Sequence, residues 1–334
     1  MIKLLTDFDG DMTTRFLVDP YWAIISGTEN PTLGVVVECA GYDGIVGMGT
    51  VRFSSVQYNG EILPLAFLDG LKVHEDFRGN GLGHRIAAWR IEQARKLYGD
   101  QCVIGTGMLF SNQASHAVAS KWCREFAESA FEARFVPTLK KRPRSLAEVT
   151  VRAIENQEYE EFAHKQNAFY RDYNLYSPSS PESIGHAQQV SVQERKPYRY
   201  YAAIDQRGNL LAGAQTWARG VLKSDTINNL PAPFRLLNSI VHLVPPDMTI
   251  RDVAVNGLWY EPGHMRTARF FWEMLRWECR DQGTILAASF DSRDSTADVL
   301  SIKPWYQPRP KITIAIQAPS AIQRDQLLYS SGRV

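Results

Sequence analysis

The segment richest in chemistry is Leu68-Asp69-Gly70-Leu71-Lys72-Val73-His74-Glu75-Asp76-Phe77-Arg78-Gly79-Asn80-Gly81-Leu82-Gly83. An apolar stretch ends at Val73, a basic, glycine-rich loop follows, and an amphipathic run starts at once. Glycines at 79, 81 and 83 let the backbone approach a ligand and turn its N–H groups outward. Successive N–H groups at the positive end of a helix make an anion site suited to a pyrophosphate, and Arg78 adds a full charge. The spacing is not the G-x-G-x-x-G dinucleotide fingerprint, and no Gly-Lys-Ser/Thr follows as a P-loop needs. Asp69 is the carboxylate nearest this loop on the strand. Alternation along a regular strand gives residues 67, 69, 71 and 73 one face, which would set Asp69 beside Leu71 and Val73, either as a general base, directly or through water, or as an ordinary polar or fold-stabilising strand residue. His74 and Glu75 stand past the strand.

Elements on either side must hold that loop in place. Val35 to Cys39 and Ile45 to Val56 read as strands, Asn59-Gly60 as a hairpin turn, and Ile62 to Val73 as a third strand. Ile86 to Leu97 is an amphipathic helix with Gly99 as C-cap, Cys102 to Phe110 a buried strand, and Asn112 to Phe126 a second helix. The second half restarts with a strand at Val149 to Ile154 and helices around Tyr159 to Tyr170 and Ser183 to Val192. A hairpin spans Tyr198 to Ile204 and Leu210 to Trp217 across Gly208-Asn209. It is followed by strand Ile250 to Val255, helix Thr267 to Cys279, strand Thr284 to Phe290 and strand Ile312 to Ile316. Setting Val73 against Val255, an offset of 182, brings Asn112 onto Asp294 and makes strand, helix, strand, helix recur. The expected fold class is α/β in α+β layers, with two domains, each a mixed, mostly antiparallel sheet flanked by helices.

Length and composition bound the function. The 334 residues, at roughly 150 per domain, allow about two domains. With 44% apolar residues a packed core is expected rather than disorder. Lys plus Arg (37) nearly balance Asp plus Glu (36), which argues against a dedicated nucleic-acid binder. No run approaches the eighteen or so apolar residues of a membrane helix, so no membrane partner is expected. Cys39, Cys102, Cys123 and Cys279 form no C-x-x-C pair, which implies no metal site and reduced thiols in a cytoplasmic setting. Lys140-Lys141-Arg142-Pro143-Arg144 reads as a solvated basic linker. These signals divide the chain into 1–137, a linker at 138–148, a second domain at 149–318 and a polar tail at 319–334.

Arg78-x-x-Gly81-x-Gly83 five residues past a strand-ending Val73 resembles motif A of the GNAT superfamily of acyl-CoA N-acyltransferases, with a matching element order from about Leu33 to Val136. The resemblance implies two GNAT-like domains in tandem. It implies acetyl-CoA or another short acyl-CoA as co-substrate, bound by Arg78, Gly79, Asn80, Gly81, Leu82 and Gly83 at the pyrophosphate. Backbone groups of Leu71 and Val73, and the side chain of Asn112, would meet the pantetheine. It implies transfer to an amine acceptor, small molecule or protein, by direct attack in a ternary complex. The N–H of Leu71 or Val73 would serve the oxyanion. Many members protonate the leaving thiolate with a tyrosine seven residues after the asparagine. Ala119 stands there instead; either His116 or Ser120, on the same helix face as Asn112, substitutes in part, or the thiolate leaves without enzymatic help, as the modest pKa of a thiol permits. At the matched positions of the second half Arg78, Gly81 and Gly83 become Tyr260, Gly263 and Met265, and Pro262 removes an N–H, so that domain is expected to be degenerate. Mycothiol synthases resemble this tandem layout but carry their catalytic site in the second half. The helix pair that walls the acceptor in the family is short of residues before 33 and present at about 155 to 193. Tyr21-Trp22 reads as core or as acceptor lining.

Two rival readings remain. A CoA-binding or interaction module that has lost turnover shares every feature above except catalysis. Asp7-Phe8-Asp9-Gly10-Asp11 resembles the aspartate loop of the haloacid-dehalogenase superfamily, which implies a phosphatase built on a doubly wound parallel sheet. A calcium loop fails there because Met12 occupies the glycine position.

Overall fold

The computed structural model describes residues 7–9, 12–16, 32–192, 194–230, 232–241, 244–300 and 310–330. The first half contributes a short hairpin, β1 (Asp7–Asp9) and β2 (Met12–Phe16), then antiparallel strands β3 (Thr32–Glu38), β4 (Ile45–Tyr58) and β5 (Glu61–Val73). Asn59 and Gly60 take φ of 51° and 85°, the geometry of a two-residue hairpin loop. Helix α1 (Leu82–Tyr98) connects β5 to β6 (Val103–Leu109), which lies parallel to β5, and α2 (Gln113–Ala119) and β7 (Glu125–Pro137) follow. Ile91 and Ala94 of the apolar stripe of α1 pack with Val51, Phe53, Ala66, Leu68 and Ile104.

The second half runs β8 (Val149–Ala153), α3 (Tyr159–Phe169), α4 (Pro181–Gln189), β9 (Tyr198–Asp205), β10 (Leu210–Trp217), β11 (Lys223–Ile227) and α5 (Ala232–Val241). It continues with β12 (Thr249–Ile250), β13 (Asp252–Tyr260), α6 (Met265–Glu278), β14 (Ile285–Asp291), α7 (Thr296–Val299) and β15 (Lys311–Gln317). Its core gathers Phe271, Trp272 and Leu275 of α6 with Ala212, Val253, Val255 and Leu286 of the sheet.

One eleven-stranded sheet joins the halves in the order β3-β4-β5-β6-β15-β7-β14-β13-β10-β9-β8. Each half holds one parallel pair, β5 with β6 and β13 with β14, among antiparallel neighbours. At the centre the halves exchange strands: β15 of the second half pairs with β6, and β7 of the first half pairs with β14. The linker at 138–148 separates the halves in sequence, while the ladders cross it in space. A second sheet, β1-β2-β11-β12, ties the N-terminal hairpin to the second half through Lys223↔Phe16 to Ile227↔Met12.

Several expectations change. The helix expected over Asn112 to Phe126 ends at Ala119, and Glu125–Pro137 is a strand. Its Glu-Phe-Ala composition favours a helix, but ladders on both sides, to β14 and β15, outweigh that local preference. Neither β11, β12 nor α5 was legible. The aspartate-loop reading fails, because Asp7–Asp9 is a hairpin strand paired antiparallel to β2, not a strand of a parallel sheet. Gly10, Asp11, Tyr21 and Trp22 lie outside the described residues. Much of the polar tail is docked. Gln323 N–H donates to Asn59 Oδ1 (2.9 Å), Ile322 N–H to Glu125 Oε1 (2.8 Å) and Tyr329 N–H to the Asn174 carbonyl (2.8 Å).

Candidate acyl-CoA site

Strands β5 and β6 pair only over Leu65–Phe67 with Val103–Gly105. Beyond that they part, with Thr106 Oγ1 donating to the Leu68 carbonyl (2.7 Å) at the fork. The wedge opens toward the N-terminus of α1. Gly70 causes the parting. Its φ of 62° is the left-handed region, and the ladder to β4 slips by one residue between Met48↔Lys72 and Thr50↔Asp69.

That bulge also breaks the side-chain alternation. Leu71 and Val73 face Gly83 on the α1 side, each within 3.9 Å of where a Cβ on Gly83 would stand. Asp69 faces the other way, ion-paired with Arg52 (3.2 Å), whose guanidinium lies over the Phe67 ring. The shared face expected for Asp69, Leu71 and Val73 is therefore corrected: the extra residue of the bulge inverts it. Asp69 Oδ1 also accepts from Gly70 N–H (2.7 Å), and its side chain is 44% exposed. The bulge is held from beneath by Arg90, only 3% exposed, whose Nη1 donates to the carbonyls of Thr50 (3.1 Å) and Asp69 (3.0 Å). Burial lowers its guanidinium to about 10, partly offset by the charge of Asp69. Neither Arg52 nor Arg90 was singled out from sequence. A signal existed for Arg90, which falls on the apolar stripe Ile86, Ala87, Ile91, Ala94 of α1. Gly49 makes room for it, since a Cβ there would come within 3.2 Å of the guanidinium.

The loop fits an anion. Gly79 and Gly81 have φ of 80° and 73°, and a Cβ at either would meet open space, so strain rather than crowding demands glycine. Gly81 caps the seventeen-residue α1 with no side-chain hydrogen bond, and the first turn carries no acidic residue. The N–H groups of Leu82, Gly83 and His84 belong to the turn that no intrahelical carbonyl serves. Arg78 is exposed, its Nε donating to the Val73 carbonyl (3.1 Å), and Asn80 is exposed beside it.

Asn112 is the exposed N-cap of α2, its Oδ1 accepting from Ser115 N–H (3.0 Å). His116 sits between the rings of Phe126 (5.6 Å) and Phe110 (6.3 Å), with Nε2 buried and without a hydrogen-bond partner among the described residues. Ala119 is 2% exposed, so its methyl belongs to the core. Among the described residues no group of three His, Cys, Asp or Glu is placed to hold a metal, and no helix is long and apolar enough to cross a membrane.

The second half repeats the wedge with a different mouth. Strands β13 and β14 pair over Asp252–Val255 and then part, with Gly257 at φ 57°. Gly257 therefore answers to Gly70, 187 residues earlier, while Ile285 answers to Val103, 182 residues earlier. The single offset of 182 does not hold through the loop, because residues 261–264 replace the eight residues 74–81. Tyr260, set against Arg78 on sequence, is still strand and answers to Val73.

A parallel pair that parts at a left-handed glycine, faced by the N-terminus of the helix that follows, occurs twice in the chain and gives it a GNAT-like fold. Residues 2–123 match the family model described as acetyltransferase (GNAT) family. The whole chain resembles N-myristoyltransferase of Saccharomyces cerevisiae, solved with bound myristoyl-CoA. One such structure aligns at 9% identity over 98% of this chain and 77% of that one (TM-score 0.62), another at 10% identity over 97% and 82% (TM-score 0.64). A third, with inhibitors also bound, aligns at 9% identity over 93% and 74% (TM-score 0.65). No curated protein matches by sequence.

Proposed function

We propose that the protein is an acyl-CoA-dependent N-acyltransferase whose first half binds the thioester. The observation that carries this is the wedge opened at Gly70 directly above the uncapped N-terminus of α1. Pyrophosphate oxygens accept from the N–H groups of Gly79 to Gly83 while Arg78 supplies charge. The pantetheine lies along Leu71 and Val73, near Asn112. The acyl carbonyl points at backbone N–H groups beside the bulge, which hold the oxyanion. An amine with pKa near 10.4 is almost wholly protonated at pH 7, so a base must take its proton. Asp69, directly or through water, has the exposed carboxylate on the face opposite α1. The amine nitrogen then bonds to the carbonyl carbon, the C–S bond breaks, and CoA leaves as a thiolate. His116, with a free ring nitrogen, or solvent returns the proton. Myristoyl-CoA in the structurally similar proteins supports the acyl-CoA reading. Acetyl-CoA or another short acyl-CoA is our choice of donor.

Calorimetric titration with CoA, acetyl-CoA and myristoyl-CoA tests this, beside Gly81→Asp. One site per chain, lost in the variant, is expected, followed by CoA release on adding an amine. Asp69→Asn should lower kcat by about 10²–10³ with CoA affinity unchanged. No CoA binding by the folded protein overturns the reading. Binding without turnover for any amine leaves the non-catalytic CoA module.

A further inference from the structure

The second wedge holds a small cavity between β13 and β14, closed by the chain's own residues Leu328, Tyr329 and Ser330. Its inner wall carries Asp294 and Thr296, 6% and 4% exposed. Asp294 Oδ1 accepts from Thr296 N–H (2.9 Å) and, at 3.4 Å, from Ser295 Oγ. No lysine or arginine among the described residues pairs with it. The neighbouring Asp291 is already neutralised, its two oxygens held by Arg293 (2.9 and 2.7 Å). Thr296 Oγ1 is buried with no hydrogen-bond partner among the described residues.

We propose that this cavity is a cation subsite that takes a primary ammonium group, with Asp294 as counter-ion and Thr296 Oγ1 as a second acceptor. A buried carboxylate without a cation is costly, and a cation entering the cavity removes that cost. Water would satisfy Thr296 but not the charge, and an anion would be repelled. The room is that of a single water-sized group, which admits –NH₃⁺ and excludes a quaternary head. Tyr170 and Tyr329, edge to face at 4.9 Å, and Tyr173 supply ring faces and phenol oxygens. Burial, then the charge of Asp294, pushes the Tyr173 phenol well above its usual range, so the carboxylate meets a neutral hydroxyl there. The contrast with the first half is positional: Asp294 stands where that half has Asn112, neutral and exposed. That the ammonium belongs to the acceptor of acyl transfer rests on the function proposed above; the subsite itself does not.

The test is thermal melting of the full chain titrated with methylammonium chloride against sodium, potassium and tetramethylammonium chlorides at constant ionic strength. A saturable stabilisation by methylammonium alone is expected, weakened about tenfold in Asp294→Asn, which keeps the oxygen that receives Thr296 N–H. Thr296→Val, isosteric and lacking only the second, uncharged acceptor, should weaken it by a smaller factor and serves if Asp294→Asn fails to fold. Equal responses to sodium, potassium or tetramethylammonium, no saturation, or an unchanged response in a folded variant would overturn the subsite. CoA titration of the same samples separates the two proposals. CoA binding with no methylammonium response sinks the subsite alone, and the reverse sinks the acyl-CoA reading alone.

Discussion

The two wedges share a plan and differ at their mouths. In both, a parallel pair parts at a left-handed glycine, Gly70 or Gly257. In the first half the cleft is met by an eight-residue loop with Arg78, Gly79 and Gly81, and α1 begins without a side-chain cap. In the second, four residues including Pro262 join β13 to α6, and Gln166 and Tyr170 bond the carbonyls of Gly257 (2.9 Å) and Leu258 (2.5 Å). The tail then fills the opening. The bulge makes a cleft, and loop length and the charge at the rim decide what it receives.

The largest expected effect comes from dividing the pair. Residues 1–137 lack β15 and residues 149–318 lack β7, so each fragment leaves a core ladder unpaired. Neither should give a cooperative melt alone, and mixing or co-expressing both should restore one, read by circular dichroism and gel filtration. An independently folded 1–137 would show that the exchange is dispensable. Next, Arg78→Glu should abolish CoA binding in calorimetry while Gly263→Asp, at the second mouth, leaves it unchanged. Equal losses would erase the asymmetry between the wedges. Arg90→Met should lower stability by about 2–4 kcal/mol, since two bulge carbonyls lose their donor, and should lower kcat more than CoA affinity. A variant with normal kcat would reduce Arg90 to packing. The smallest effect concerns the start of α3. A hydrogen bond from Arg152 holds the Glu158 carboxyl below its ordinary 4.5, against the cost of burial. That contribution is present above the ordinary value and disappears as pH falls through the lowered one. Arg152→Met should cost under about 1 kcal/mol at pH 7 in denaturant melts, given the partial exposure of the pair, and nothing in strong acid. A constant difference across pH would exclude the ion pair as its source.

Local signals carried the sequence reading where they agreed with the tertiary structure. Asn59-Gly60 and the α1 stripe with its Gly99 C-cap are short-range patterns and lie where expected, while the helix begins at Leu82, four residues before Ile86, and takes Leu82 and Gly83 out of the loop. The wedge itself was inaccessible, because a one-residue bulge is a property of pairing with β4, and alternation read across Gly70 put Asp69 on the wrong face. Strand β7 was hidden for the same reason, its partners lying more than 140 residues away at β14 and about 180 away at β15. The acidic cavity needed Thr296 and Tyr329, brought together only by the docked tail.

The exchange of β7 and β15 sets a clock on biosynthesis. The first half has its loop, helix and wedge once residue 137 has been made, yet the slot between β6 and β7 stays open until residues 311–317 follow. At about 5–20 residues per second that wait is on the order of ten seconds or more. Through that interval the nascent sheet offers two unpaired edges, the condition under which a chain is most exposed to wrong partners. Slowing translation ahead of residue 311 should therefore raise aggregation more than slowing it after residue 317.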